Sequence, residues 1–240
     1  MALAFMVAFG WIFWEAKKRG EDLDHYYNLC LIGLIGGIVG ARLVYVVVTW
    51  KLFKDHPFTI LNLRTGGMVW YGGLIAVALL IWAYTKWKDL NLYNILDLVA
   101  APTILGLGIG RIGCLMSGCC YGKPSSLPWA IRYPETHVLS PDLIGVRVHP
   151  SPVYEMIACF AIAGFLAYLQ RRKTRDGQVA WSMLLLYGAA RFVLEIWRGD
   201  ELRGFVVPGI LSVSQAISIV VVILAAIMLL KLGHRPEPER

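Results

Sequence analysis

The sequence predicts an all-α membrane protein of about seven transmembrane helices, organised as a single polytopic domain over residues 1–240. Three observations carry that prediction. Hydrophobic residues make up 58% of the chain and charged residues 16%, against about 45–50% and about 25% in an average soluble domain. The mean hydropathy is +0.60. The apolar excess falls in long runs, which a soluble core does not need and a bilayer-spanning helix of about 20 residues does.

In chain order the apolar runs are 2–14, 26–50, 67–84, 92–112, 152–169, 179–197 and 209–230. The first is short. It lacks a basic start and a small-x-small cleavage site, so it reads as a retained span rather than a removed leader. Its abrupt start leaves room for an N-terminal extension. The second carries Gly36, Gly37, Gly40 and Ala41, small residues that let helices approach closely. The third contains Gly66-Gly67 and Gly72-Gly73 around Trp70 and Tyr71. Paired glycines there predict a broken helix start with bare backbone N–H groups, tolerated only where it is buried or lines a cavity. In the fourth, Gly106, Gly108, Gly110 and Gly113 surround Arg111, so that backbone or a ligand can come close. The fifth opens on His149-Pro150-Ser151-Pro152-Val153-Tyr154-Glu155. The sixth holds Tyr187, Arg191 and Glu195, with Arg198 at its edge.

Lys and Arg favour the connections after the first, third and fifth runs and the tail, among them Lys17, Lys18, Arg19, Arg171, Arg172 and Lys173. The positive-inside rule then puts the N-terminus outside and the C-terminus in the cytoplasm. The net charge of +7 is explained by these flanking residues, and no nucleic-acid motif accompanies it, so nucleic acid is excluded as a partner. No internal repeat is visible, which speaks against an inverted-repeat transporter. The long connection 113–151 falls on the outer side. It is rich in Gly, Pro and Ser, and loops of that length are commonly functional. Trp129, Ile131 and Tyr133 within it predict a packed segment, with a short strand.

The charged residues at membrane depth are the main functional signal. Each costs roughly 2.5–3.5 kcal/mol on insertion scales. Arg191, Glu195 and Arg198 stand at i, i+4 and i+7, on one helical stripe that Tyr187 extends by a turn. Two arginines to one glutamate leave a positive surplus suited to an anion; an internal ladder fixing helix packing is the alternative. Arg111 sits where lipid phosphates lie. It suits a forked phosphate contact or a snorkelling anchor. Glu155 can partner a buried arginine or accept a proton, and His149 orients the loop. Tyr71 can donate to an oxyanion or stand in the interfacial aromatic belt. Cys30 and Cys159 read as buried small hydrophobes. Cys114, Cys119 and Cys120 share one loop without C-x-x-C spacing. His137 and His149 are far along the chain as further ligands, so no metal site is assigned and a structural role is preferred to a redox one, with a disulfide open on an oxidising face.

In order, the segments GARLVYVV, GGMVWYGGLI, GLGIGRIGCLMSGCCYG, HPSPVYE and LYGAARFVLEIWRGDE resemble the bacterial prolipoprotein diacylglyceryl transferase family over nearly the whole chain. The resemblance implies an enzyme of the cytoplasmic (inner) membrane, working at the outer leaflet. It would move the diacylglyceryl group of phosphatidylglycerol onto the lipobox cysteine of a prelipoprotein, releasing glycerol phosphate. Membrane lipid and the prelipoprotein are the implied partners, and no cofactor is implied. It makes Arg111 the signature arginine on the lipid phosphate and Arg191 the second essential arginine, with Glu195, Arg198 and Tyr187 around it. Glu155 matches the carboxylate of the family's HPSQLYE motif, and Gly72, Gly73 and Gly122 would lie against substrate. The chain departs from the family pattern at Tyr71, where relatives carry histidine, and at Cys114 and Cys119, where they carry asparagine and an acidic residue. Two rivals follow from those departures: a lipid transferase with another acceptor, and a lipid-binding or transport protein without chemistry. A thiol-redox protein using the three clustered cysteines is a third.

Overall fold

The computed structural model describes residues 1–54, 57–62, 66–134, 144–199, 205–207 and 211–233. Most of them are helical. The main helices are α1 (Ala2–Lys18), α2 (Leu23–Leu31), α3 (Gly37–Val48), a short α4 (Trp50–Phe53), α5 (Trp70–Trp87), α6 (Leu92–Met116), α7 (Ser151–Arg172), α8 (Gln178–Leu194) and α9 (Val213–Gly233). A π-helical turn, Ile32–Gly36, joins α2 to α3, so that Leu23–Val48 forms one continuous helical stretch of 26 residues. Among the described residues, five helices are long and apolar enough to cross a membrane: Leu23–Val48, Leu92–Met116, Ser151–Arg172, Gln178–Trp197 and Val213–Gly233. The chain is thus an all-α, multi-pass membrane protein. Helices α1 and α5, of 17 and 18 residues, occupy the first and third apolar runs.

Two compact units are distinguished: Met1–Ile12 with Leu96–Arg240, and Phe13–Ile95. In the first, Ala100, Ala101 and Ile104 of α6 meet Cys159, Ile162, Ala163 and Leu166 of α7 and Val179 of α8 in a fully apolar core. Cys159 is buried there as the sequence predicts. Glycines set the spacing. A Cβ on Gly108 would stand 2.9 Å from the Cβ of Cys159, and one on Gly188 would stand 3.0 Å from Val222 of α9. Outward faces stay apolar: Val220, Ile223, Leu224 and Leu230 of α9 are exposed, as hydrocarbon contact requires.

A buried carboxylate organises the start of α8. Asp97, 1% exposed, accepts from the backbone N–H groups of Gly177 at 2.9 Å and Ala180 at 2.8 Å, and from Lys173 Nζ at 2.9 Å. It satisfies helix-end donors that have no intrahelical partner. The sequence reading gave Lys173 only a topological role.

In the second unit, α3 and α5 pack through glycine. A Cβ on Gly40 would meet Ala76 and the carbonyl oxygen of Gly72, and one on Gly73 would lie 2.7 Å from the carbonyl oxygen of Gly37. The close-packing role expected of Gly37 and Gly40 is borne out. The broken helix start expected at Gly72-Gly73 is not, because α5 runs through both. Their missing side chains are used for helix contact. The break falls earlier, at Gly66 and Gly67, whose φ values of +72° and +78° suit glycine.

Other differences are local. Helix α6 continues to Met116, beyond the expected end of the fourth run. The last helix starts at Val213 because Phe205–Val207 and Leu211–Ser212 pair as an antiparallel ribbon. The connection between α6 and α7 carries isolated bridges from Val148 to Pro124 and Ile131, a strand-like crossing where the sequence predicted a packed segment. His137 lies outside the described residues.

Candidate active site

The site is built on the ends of α6, α7 and α8. Arg111 is five residues from the end of α6, Glu155 lies in the first turns of α7, and Tyr187 and Arg191 lie on α8. The expected single stripe is corrected in one respect. Helix α8 ends at Leu194, Glu195–Trp197 form a 3₁₀ turn, and Arg198 is extended. The change of direction sends Arg198 back to the neighbouring helix instead of along a straight face.

Glu155 is the hub. It is 2% exposed. Its Oε1 receives Arg111 Nη2 at 2.8 Å and the Tyr187 hydroxyl at 2.9 Å, while Oε2 is 3.6 Å from Arg198 Nη1. Glu195 forms the second node. Its Oε2 lies 2.5 Å from Arg191 Nη2 and 3.9 Å from Arg198 Nε, and its Oε1 accepts from Ser212 Oγ at 3.1 Å. The guanidinium groups of α6 and α8 therefore belong to one connected network. Three arginines face two glutamates. Arg191 Nη2 is paired with Glu195 as an ion pair, whereas Nη1 of Arg191 and Nε of Arg111 are buried donors without a hydrogen bond. Unmet buried donors of this kind are costly and suit an anion.

Backbone crossings fix the network. Gly122 pairs with Arg198 as an antiparallel bridge, its N–H donates to the His149 carbonyl at 3.0 Å, and Lys123 N–H donates to the Trp197 carbonyl at 2.9 Å. A Cβ on Gly122 would stand 2.4 Å from the Cβ of His149, so this position admits glycine alone. The His149 ring nitrogen Nδ1 lies 3.1 Å from the Tyr154 hydroxyl, which also receives Trp129 Nε1 at 2.8 Å. This is the loop-orienting role expected of His149.

The three clustered cysteines adjoin the arginines. Arg111 Nη1 donates to Cys114 Sγ at 3.8 Å. The sulfurs of Cys114, Cys119 and Cys120 all lie within 4.8 Å of one another. A hydrogen bond from the Cys114 thiol, reinforced against burial by Arg198 and Arg111, holds the Cys120 thiol well below the ordinary thiol range. Burial pushes the Tyr133 phenol up to about 12, and its hydroxyl has no hydrogen-bond partner. The sequence reading missed this convergence, because C-x4-C-C spacing matches no familiar ligand pattern. It also missed Ser212, which nothing in the sequence ties to Glu195.

Tyr71, Gly72 and Gly73 lie in the first turns of α5 in the other unit. Tyr71 and its neighbour Trp70 contact edge to face, with ring centroids 5.4 Å apart.

The model of the prolipoprotein diacylglyceryl transferase family matches residues 1–231. The chain belongs to that family. Among similar relatives, the phosphatidylglycerol–prolipoprotein diacylglyceryl transferase of Clostridium tetani is 36% identical over 210 residues, covering 88% of this chain and 82% of that protein. That of Finegoldia magna is 36% identical over 217 residues, 90% of this chain and 82% of its own length. The Clostridioides difficile protein of the same name is 34% identical over 209 residues, 87% and 79% of the two chains. The arginine–glutamate network lies wholly within the part of the chain that the diacylglyceryl transferase family model covers.

Proposed function

We propose that this chain transfers the diacylglyceryl group of phosphatidylglycerol to the lipobox cysteine of a prolipoprotein, at the outer leaflet of the bacterial cytoplasmic membrane. Seven helices cross the bilayer in this reading, with the N-terminus outside, the C-terminus in the cytoplasm and the loop between α6 and α7 on the outer side. The reading rests on one observation above all: half-buried arginines from two helices and the buried Arg198 share a network with too few carboxylates and with unmet donors.

The chemistry follows. The acceptor thiolate attacks the glyceryl CH2 carbon, an S–C bond forms, and the C–O bond to phosphate breaks. The electron pair leaves with glycerol phosphate. Negative charge grows on the leaving phosphate, so Arg111 and Arg191 aimed at it favour the transition state over the bound lipid. Glu155 and Glu195 hold those guanidinium planes, and Tyr187 and Arg198 fix Glu155 in turn. Gly122 keeps the Arg198 backbone in register.

The test uses purified full-length protein, labelled phosphatidylglycerol and a lipobox peptide. Release of glycerol phosphate coupled to a thioether on the peptide is expected. Lipid binding without release would replace the transferase reading with a lipid-binding one.

A further inference from the structure

The acceptor thiol must lose its proton before it attacks, and a free thiol is only a few per cent ionised at neutral pH. Glu155 and Glu195 are both engaged by arginines. Beside them stand three sulfurs, two of them in contact with the network's arginines. Helix α6 ends at Met116, and the chain turns back through Gly118 (φ +65°) and Cys120 (φ +60°). Cys120 thus adopts a left-handed conformation that favours glycine. The turn is tied by Cys119 N–H donating to the Cys114 carbonyl at 3.1 Å and by Ser117 Oγ donating to Cys119 Sγ at 3.1 Å. Its result is three sulfurs mutually within 4.8 Å. Zinc–sulfur bonds of about 2.3 Å in a tetrahedron put sulfurs about 3.8 Å apart, a contraction within reach of side-chain rotation.

We propose that Cys114, Cys119 and Cys120 bind one thiophilic divalent cation of the Zn²⁺ class, with its fourth position open to the acceptor thiol. Three features support this. Among the described residues, the group holds no fourth His, Cys, Asp or Glu, and three protein ligands with one open position are the pattern of catalytic rather than structural zinc. Three thiolates on a divalent cation leave one negative charge, and Arg111 at Cys114 and Arg198 at Cys120 offset it. The Tyr133 side chain, 7% exposed with its hydroxyl unpartnered, faces the same sulfurs.

The catalytic half of the proposal rests on the transferase reading above; the cation site itself stands on geometry. A thiol that coordinates such a cation is deprotonated outright, its proton passing to water. Its sulfur then forms the S–C bond while glycerol phosphate departs toward Arg111 and Arg191. No oxidant or reductant enters.

Full-length protein, purified reduced and metal-free in detergent, is titrated with Co²⁺ as a spectroscopic stand-in. One equivalent should give sulfur-to-cobalt charge-transfer absorption and tetrahedral ligand-field bands, absent when all three cysteines are replaced by serine. A lipobox peptide should strengthen the charge-transfer band by a fourth sulfur, whereas its Cys→Ser version should not. Chelation should lower transfer about 30-fold at pH 7, the ratio of full to few-per-cent ionisation, and Zn²⁺ should restore it. Absence of the bands, or loss of two titratable thiols to a disulfide in place of cobalt binding, overturns the site. Bands unchanged by the cysteine peptide overturn the open position. Unimpaired transfer by the triple serine variant overturns the cation's catalytic part and leaves the transferase reading intact. If the zinc-loaded wild type transfers nothing, the transferase reading itself fails, while the cobalt spectrum still judges the site.

Discussion

Arg42, buried, and Arg111, half-buried, both sit on apolar helices, yet their surroundings are opposite. Arg42, 5% exposed, donates only to backbone carbonyls: Nε to Ile60 at 3.0 Å, Nη1 to Gly66 and Gly67, and Nη2 to Thr59 at 3.0 Å and Asn62 at 2.9 Å. It ties Thr59, Ile60 and Asn62 together with Gly66 and Gly67, and its donors are all met. Arg111 meets a carboxylate and a sulfur and keeps a buried Nε without a partner. The difference separates an arginine whose donors are all used within the protein from one with a donor to spare. Charge and depth in the sequence are alike for the two.

The sharpest way to break that contrast is to truncate each. Arg111→Ala or Arg191→Ala should reduce transfer by about 10³-fold, in the range of losing a donor to a developing anion. Initial-rate assays of the folded fraction on lipobox peptide would show this. Arg42→Ala should do the converse. Losing a multiply bonded buried arginine should destabilise by about 3 kcal/mol, visible in denaturant titration in detergent, while the folded fraction keeps its transfer rate. Equal activity losses in both would erase the distinction.

A smaller effect is expected at the helix contact in the Arg42 unit. A Cβ on Gly72 would lie 2.6 Å from Val44 and 2.7 Å from the Gly40 carbonyl oxygen, so Gly72→Ala should cost about 1–3 kcal/mol by overpacking, again read by unfolding. The smallest concerns Cys120. In metal-free protein its alkylation rate should stay level on lowering the pH from 8 until well below the ordinary thiol range. Cys114→Ala should move that midpoint up, since the Cys114 hydrogen bond is its main cause. Because the folded value is depressed, the stabilisation this thiolate adds is complete above the unfolded thiol's pKa and fades as pH falls through the folded one.

The helices and the arginine network were largely legible in the sequence. Runs of apolar residues report spans directly, and charges inside them are too expensive to be incidental. Tyr187, Arg191 and Glu195 were placed together by helical spacing alone. Their link to Glu155 and Arg111 was not, because it depends on which faces of α6, α7 and α8 meet. The direction of Arg198 was misjudged for a related reason: the helix ends three residues before it is reached, and periodicity does not mark that end. The Gly72-Gly73 pair was misread because glycine serves turns and close helix contacts equally well, whereas Gly66-Gly67 breaks the chain as expected. The cysteine cluster is visible in the sequence, but the close approach of its sulfurs is not, because a left-handed turn and not a spacing rule brings them together.

The Asp97 anchor has a consequence at the opposite end of its helix. By gripping the N–H of Ala180 it keys α8 in rotation as well as height. Arg191 lies eleven positions on, roughly 16 Å along the axis at about 1.5 Å per residue. A slip of a single residue at the anchor would swing that guanidinium by about 100°, away from Glu195 and out of the cleft. A carboxylate at one membrane face thus sets the aim of a cation near the other.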